Sequence, residues 1–207
     1  MKRTLALTAL ALGTLLTVSG CSAPASSDDT EEPTSSASAE TETGTETETE
    51  TDAPEAAPAD GETLEGDGYS YAVPAGWTVP GECGDAFGTD TMAADTEDTD
   101  GFADNVNVVL SPAGAVSADQ VETAGKAELE SVGATEVTVQ ERLTVADSET
   151  AHLSASLGAE GVSYLVEQYY LTNDDQTYVI TFSFSDTVSD DDRTALADSV
   201  LATWTWS

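Results

Sequence analysis

Basic residues, histidine and cysteine are all scarce in this sequence of 207 residues. Five Lys and Arg residues face 40 Asp and Glu residues, which gives a formal net charge of −35. So few cations cannot neutralise a phosphate backbone, which excludes nucleic-acid binding and disfavours docking on an anionic membrane through a basic patch. Two cysteines cannot form a disulfide framework. A single histidine excludes a His-based metal cluster and disfavours a catalytic triad.

The first 20 residues have the pattern of a secretory signal. Lys2 and Arg3 are followed by an apolar stretch up to Val18, which is too short for a comfortable membrane span. The segment 18–21 resembles the bacterial lipobox and consists of Val18, Ser19, Gly20 and Cys21. In a lipobox, small residues precede a cysteine that is diacylated and becomes the first residue of the mature chain. We therefore expect residues 1–20 to be cleaved and Cys21 to anchor the protein at the extracytoplasmic face of the cell membrane. The alternatives are an uncleaved anchor and a plain signal peptide.

The composition of residues 21–67 predicts an acidic, disordered tether. Ser, Thr, Ala, Pro, Glu and Asp dominate it, and residues 40–51 are largely a Glu-Thr repeat that offers a strand no apolar face. Residues 22–67 contain 15 acidic residues and neither Lys nor Arg. Such a composition cannot offset the entropy of ordering the chain. We expect a spacer that holds a folded domain away from the membrane.

Apolar periodicity begins at Tyr69 and predicts one folded domain over residues 68–207. Ser117 and Gln120 form a capping-box pattern ahead of a helix that ends at Gly133, and Ser189 followed by three aspartates begins a second helix. We expect residues 80–103 to be a long loop. Apolar patterning predicts strands at Tyr69–Val73, Trp77–Val79, Asn105–Leu110, Val137–Val139, Leu143–Val145, Ala151–Leu157, Val162–Leu171 and Tyr178–Phe184. The sequence therefore predicts an α+β fold, an antiparallel β-sheet flanked by helices.

The order of these segments resembles the LpqN-type lipoproteins of actinobacteria. The motifs that carry the resemblance, besides the lipobox, are Tyr71–Trp77, Asn105–Val109, Gln168–Tyr170, Tyr178–Phe182 and the two helices. Across residues 68–207 the resemblance implies a PsbP-like sandwich, which is an antiparallel sheet with helices on both faces. It also implies a secreted, membrane-tethered protein without an established catalytic signature, so no active-site residue carries over. The loop 80–103 matches no motif of the family.

An acidic cluster at residues 95–104 has oxygen ligands at alternate positions before a glycine, a pattern found in calcium loops. Its candidate ligands are Asp98, Asp100 and Asp104. In EF-hand register on Gly101, however, the twelfth position falls on Asn107 instead of a glutamate. The alternative is a solvated acidic loop.

The sequence contains no recognisable catalytic constellation. His152 lies on the polar face of a predicted strand, where we expect it to be exposed. A nucleophilic Ser154 or Ser156 beside it lacks a third orienting group and a nucleophile-elbow pattern. Cys83 has acidic sequence neighbours, which do not activate a thiol. We therefore expect no enzyme activity and no cofactor.

These observations favour a non-catalytic, protein-binding or scaffolding domain on the cell envelope, with an envelope protein as its partner. The alternative is a carrier or sensor that binds an apolar lipid or small molecule. Aromatic residues of the domain are suited to line a cleft between the sheet and its helices, and apolar clefts with a few polar groups are common binding sites.

Overall fold

The computed structural model describes residue 54 and residues 56–79, 88–159 and 161–207. The predicted signal, Cys21, most of the predicted tether and Cys83 lie outside these residues. No helix in the described part of the chain is long and apolar enough to cross a membrane. In chain order the elements are β1 (Thr63–Gly66), β2 (Tyr69–Ala72), β3 (Thr91–Ala94), β4 (Asn105–Leu110), α1 (Ala118–Ser131), β5 (Thr135–Val139), β6 (Leu143–Val145), β7 (Ser148–Ala159), β8 (Val162–Thr172), β9 (Thr177–Ser185), α2 (Asp190–Leu201) and β10 (Thr205–Trp206).

The strands form two antiparallel sheets. The smaller has three strands in the order β1-β2-β10, and the larger has seven, in the order β3-β4-β9-β8-β7-β5 with β6 also paired to β7. All pairs between these strands are antiparallel. The interior position of β8 explains why its sequence is apolar on both faces. The predicted α+β class with an antiparallel sheet is confirmed.

The larger sheet buries side chains on both faces, because successive residues of a strand point to opposite sides. On one face, α2 and the smaller sheet pack on an aromatic-rich cluster, here called the α2 core, that includes Tyr69, Tyr71, Tyr169, Phe182, Phe184, Val200 and Trp204. On the other face, α1 packs on a smaller cluster, here called the α1 core, that includes Val121, Leu129, Ala151, Leu153, Val166 and Tyr170. The two helices therefore contribute to cores on opposite faces of the sheet.

Both helix starts follow the local chemistry of the sequence. Ser117 Oγ accepts a hydrogen bond from the Gln120 backbone N–H, and Gln120 Oε1 accepts one from the Ser117 N–H, so the predicted capping box is confirmed. Ser189 Oγ likewise accepts from the Asp192 N–H. Three aspartates occupy the first turn of α2, where the positive end of the helix dipole stabilises negative charge.

The domain begins earlier than residue 68. The strand β1 pairs with β2, and Leu64 is buried in the α2 core. Ahead of β1, the Ala59 N–H donates to the Ser199 carbonyl at 2.8 Å. The predicted boundary of the tether at residue 67 is therefore wrong. Leu64 stands alone among polar residues, so its strand shows no periodicity and depends on pairing with β2.

The segment 80–103 is not a continuous loop. It contains the edge strand β3, which pairs with β4 and buries Thr91 and Ala93. Threonine and alanine are small, so this strand gives a weak apolar signal. The strand expected at residues 77–79 is reduced to a single bridge between Thr78 and Ala94.

The C-terminal tryptophans close the α2 core. The Trp204 ring stacks on Tyr69 with ring centroids 4.3 Å apart and is 4% exposed. Trp206 is only half-buried, and its Nε1 donates to the Ala146 carbonyl at 3.1 Å. Trp204 is therefore a core residue, and Trp206 packs against the edge of the core.

Candidate functional site

The helix α1 is attached to the sheet by a narrow stripe of side chains. Its buried residues are Val121, Gly125 and Leu129, which follow one another at intervals of four along a single side. Its main neighbours in the sheet are β7 and β5. The adjoining face of β4, β9 and β8 therefore borders an open cleft beside the helix.

Gly125 determines how closely α1 approaches the sheet. A Cβ atom at this position would lie 3.0 Å from Leu153 Cδ1 and 3.1 Å from Tyr170 Oη. Glycine inside a helix costs about 1 kcal/mol relative to alanine. Because Gly125 has no side chain, the Tyr170 hydroxyl can lie directly against the helix backbone, at the inner edge of the cleft.

The floor of the cleft consists of two rows of side chains that cross the strands. In the first row, Val109 on β4 pairs with Val179 on β9, which in turn pairs with Tyr170 on β8. In the next row, Thr181 pairs with Gln168. The floor is therefore apolar at one level and carries neutral hydrogen-bonding groups at the next.

The wall of the cleft is the side of α1 next to its buried stripe. It presents Gln120, Ala124, Glu128 and Val132, again at intervals of four. Val132 is 67% exposed at the end of the helix. The cleft has a volume of about 380 Å³, which falls in the range of small-molecule sites, roughly 300–1,000 Å³.

The polar groups of the floor are linked to one another. Tyr170 Oη donates to Gln168 Oε1 at 2.8 Å, and Gln168 Nε2 donates to Thr181 Oγ1 at 3.1 Å. Burial, with the nearby charge of Glu128, raises the pKa of Tyr170 to about 12, so its hydroxyl stays protonated at neutral pH. The floor thus offers fixed, uncharged partners inside an apolar surround, a composition typical of ligand sites.

A buried ionic network lies on the opposite face of the sheet. Glu167 is 4% exposed, and its two carboxylate oxygens lie 2.8 Å from His152 Nε2 and 3.0 Å from Arg193 Nε. Arg193 also donates to the Val188 carbonyl and pairs with Asp190. The network therefore joins α2 to β7 and β8.

The expectation that His152 is exposed is wrong. Its side chain is 12% exposed and stacks on Tyr169 with ring centroids 4.1 Å apart. A polar position on β7 is buried here because Glu167 on β8 supplies a charged partner. Ser154 does not contact this histidine's Nε2; it accepts a hydrogen bond from Gln140 Nε2. The arrangement needed for a Ser-His nucleophile is therefore not formed.

The carboxylates of the proposed calcium loop bond to their own backbone and to β9. Asp98 accepts from the Asp100 N–H, Asp100 from the Phe102 N–H, and Asp104 from the Ser185 N–H at 2.9 Å. Among the residues that the structure describes, no group of three or more Asp, Glu, His or Cys side chains is placed to hold a metal. Asp98, Asp100 and Asp104 are therefore not supported as a calcium site.

Burial and three neighbouring aspartates raise the pKa of Asp104 above its ordinary value. Hydrogen bonds from Ser185 and from the Phe102 N–H lower the pKa of Asp100. The two carboxyls of one loop therefore titrate differently, because one is partly buried and the other lies in solvent and is stabilised as an anion.

Sequence reasoning did not find the residues of the cleft. The aromatic side chains expected to line a groove lie mainly in the α2 core, and Tyr170 is the one that reaches the cleft. The signals that were available were Gly125 within a helix and Gln168 within an apolar strand. A glycine inside a helix lowers its stability, so it suggests a close contact that leaves no room for a side chain. A buried amide lowers stability unless it is hydrogen-bonded, so it suggests a polar partner nearby.

No family model matches the sequence, and no curated protein matches it. Solved structures similar to the chain include a cyanobacterial PsbP from Synechocystis sp. PCC 6803, 17% identical over 69% of this chain and 91% of that one, with a TM-score of 0.48. LpqN, described as involved in cell envelope biogenesis of Mycobacterium tuberculosis, is 13% identical over 70% of this chain and 88% of that one, with a TM-score of 0.45.

A protein from Bacteroides thetaiotaomicron VPI-5482 is 14% identical over 67% of this chain, with a TM-score of 0.42. The chain spans only 45% of that protein's length. The similar structures thus include LpqN and a PsbP protein, the two kinds of protein that the sequence resemblance suggested. At these identities and scores, no conclusion about ligand or activity follows from them.

Proposed function

We propose that this protein is a non-catalytic binding domain, tethered at the cell envelope through Cys21, whose cleft beside α1 holds an apolar small molecule. The cleft is the observation that carries the proposal. An apolar, concave site with a few fixed polar groups suits a small ligand better than the broad face that a protein partner needs. The geometry therefore favours a carrier or sensor over a scaffold.

Burial of alkyl groups supplies the affinity for such a ligand. Each methylene removed from water contributes about 0.8 kcal/mol, which is roughly a four-fold gain in affinity per carbon. A linear alcohol can in addition hydrogen-bond to Gln168 or Thr181 at the floor. We expect affinity to rise along the series from hexanol to decanol and to level off once the cleft is filled.

The test is calorimetric titration of these alcohols into the full chain carrying Cys21→Ala, so that no attached acyl chain competes for the cleft. Ala124→Trp fills the cleft from its exposed wall and should abolish binding. Ala127→Trp is the matched control, since Ala127 is exposed on the same helix and does not line the cleft. Equal binding to both variants would show that the cleft is not the site.

The tether is a separate part of the proposal and rests on the sequence pattern that ends at Cys21. Two acyl chains satisfy the requirement for stable anchoring, and the acidic segment after them is repelled by anionic lipid. Cys21→Ala should therefore move the protein from the membrane fraction to the soluble fraction. A variant that stays with the membrane would contradict the lipobox interpretation.

A further inference from the structure

Within this proposed function, on which the inference rests, we infer that the cleft selects cationic over anionic apolar ligands, through the carboxylate of Glu128. The ligand class is an alkyl chain or ring that carries an ammonium group.

Glu128 is the acidic residue of the cleft lining, four positions from Ala124 and four from Val132. It belongs to no ion pair within the described part of the chain. Its charge reaches the floor of the cleft, because it contributes to the raised pKa of Tyr170. A cation bound between the wall and the floor would therefore lie close to this carboxylate.

An anionic ligand finds no such partner. Neither Lys126, Arg142 nor Arg193 lines the cleft. The two arginines are already engaged: Arg142 pairs with Asp119, Glu122 and Glu149, and Arg193 with Asp190 and Glu167. The remaining polar groups of the floor are neutral amides and hydroxyls. The carboxylate of Glu128 therefore distinguishes ligands by the charge of their head group, whereas the apolar lining binds the alkyl part of cationic, neutral and anionic ligands alike.

Three probes of one chain length separate these contributions: decylammonium, decanol and decanoate, titrated into the full chain carrying Cys21→Ala at low salt. An exposed ion pair is worth about 0.2–1 kcal/mol, so we expect decylammonium to bind up to about five-fold more tightly than decanol. Decanoate should bind most weakly. The preference for decylammonium should shrink at physiological salt, since the site is open to solvent.

Glu128→Gln should remove the preference for decylammonium, so that decylammonium binds this variant no more tightly than decanol binds the same variant. Glu130→Gln is the matched control, because Glu130 is an exposed residue of the same helix, carries the same charge and does not line the cleft. It should leave the preference intact.

The outcomes distinguish the inference from the proposed function. If decanol binds and decylammonium binds no more tightly, the inference is overturned and the proposed function stands. The same holds if Glu128→Gln and Glu130→Gln lower the preference equally, because the whole acidic domain would then be responsible. If none of the three probes binds, the proposed function fails and the inference fails with it.

Discussion

Arg193→Ala should destabilise the domain far more than the loss of one surface charge explains. Glu167 is 4% exposed, and its two carboxylate oxygens contact Arg193 Nε and His152 Nε2. Removing Arg193 leaves a charge in the interior with one partner. Breaking a buried pair in this way costs about 3–5 kcal/mol.

For a domain of this size, each kcal/mol lowers the melting temperature by roughly 2–4 °C, so we expect a fall of about 6–20 °C. The assay is urea unfolding followed by tryptophan fluorescence, with the free energy of unfolding as the measured quantity. Trp204 and Trp206 report on it directly, since both belong to the region around α2.

Arg142→Ala is the matched control, because it removes the same charge from a more exposed site: two of its three partners, Asp119 and Glu149, have exposed side chains, and the side chain of Glu122 is 26% exposed against 6% for that of Glu167. We expect it to cost about 1 kcal/mol or less. The double variant Arg193→Met, Glu167→Leu removes both buried charges and should recover most of the stability.

Two results would refute this reasoning. If Arg193→Ala costs no more than Arg142→Ala, the Glu167 carboxylate is not desolvated in the folded protein. If the double variant is as unstable as Arg193→Ala, lost packing of the arginine side chain is responsible instead of an unpaired charge.

Three further predictions concern pH and salt. Because the folded pKa of Asp104 is raised, its contribution to stability is present below the ordinary carboxyl pKa of about 3.9 and is lost as pH rises through the folded value. Asp104→Asn should therefore raise the melting temperature at neutral pH and flatten its acid dependence, whereas the exposed control Asp147→Asn should not. Burial raises the pKa of Tyr71 to about 12. Above about pH 10, the tyrosinate absorbance of the native protein should therefore rise at higher pH than that of the unfolded chain. The stability of the fold should decrease as pH rises through the pKa of Tyr71 in the folded protein. Residues 68–207 carry 25 acidic and three basic residues, so monovalent salt should raise the melting temperature, and a temperature indifferent to salt would show that these charges do not repel one another.

The sequence predicted those elements whose signal is local. The start of α1 follows from Ser117 and Gln120, which bond to each other across a single turn. The long strands β7, β8 and β9 have apolar periodicity over many residues. By contrast, β1 and β3 consist of four residues each and show little apolar periodicity. A hairpin signal for β1 is present, since β1 pairs with β2 across the two-residue turn Asp67-Gly68. β3 has no such signal and depends on its pairing with β4.

The candidate site was missed for the same reason. Val109, Gln168 and Thr181 lie on three different strands, and only the register of β4, β9 and β8 brings them together. The burial of His152 likewise depends on its position opposite Tyr169 and beside Glu167. A lone glutamate within the apolar run of β8 was the available sign of a buried ionic partner.

The smaller sheet lies on the α2 side of the larger sheet, whereas the cleft lies on the α1 side. The chain enters the domain through β1, and β10 pairs with the neighbouring strand β2. The larger sheet therefore lies between both attachment points and the cleft. The protein can be immobilised on a sensor chip, or fused to a reporter, through either end without obstructing the site.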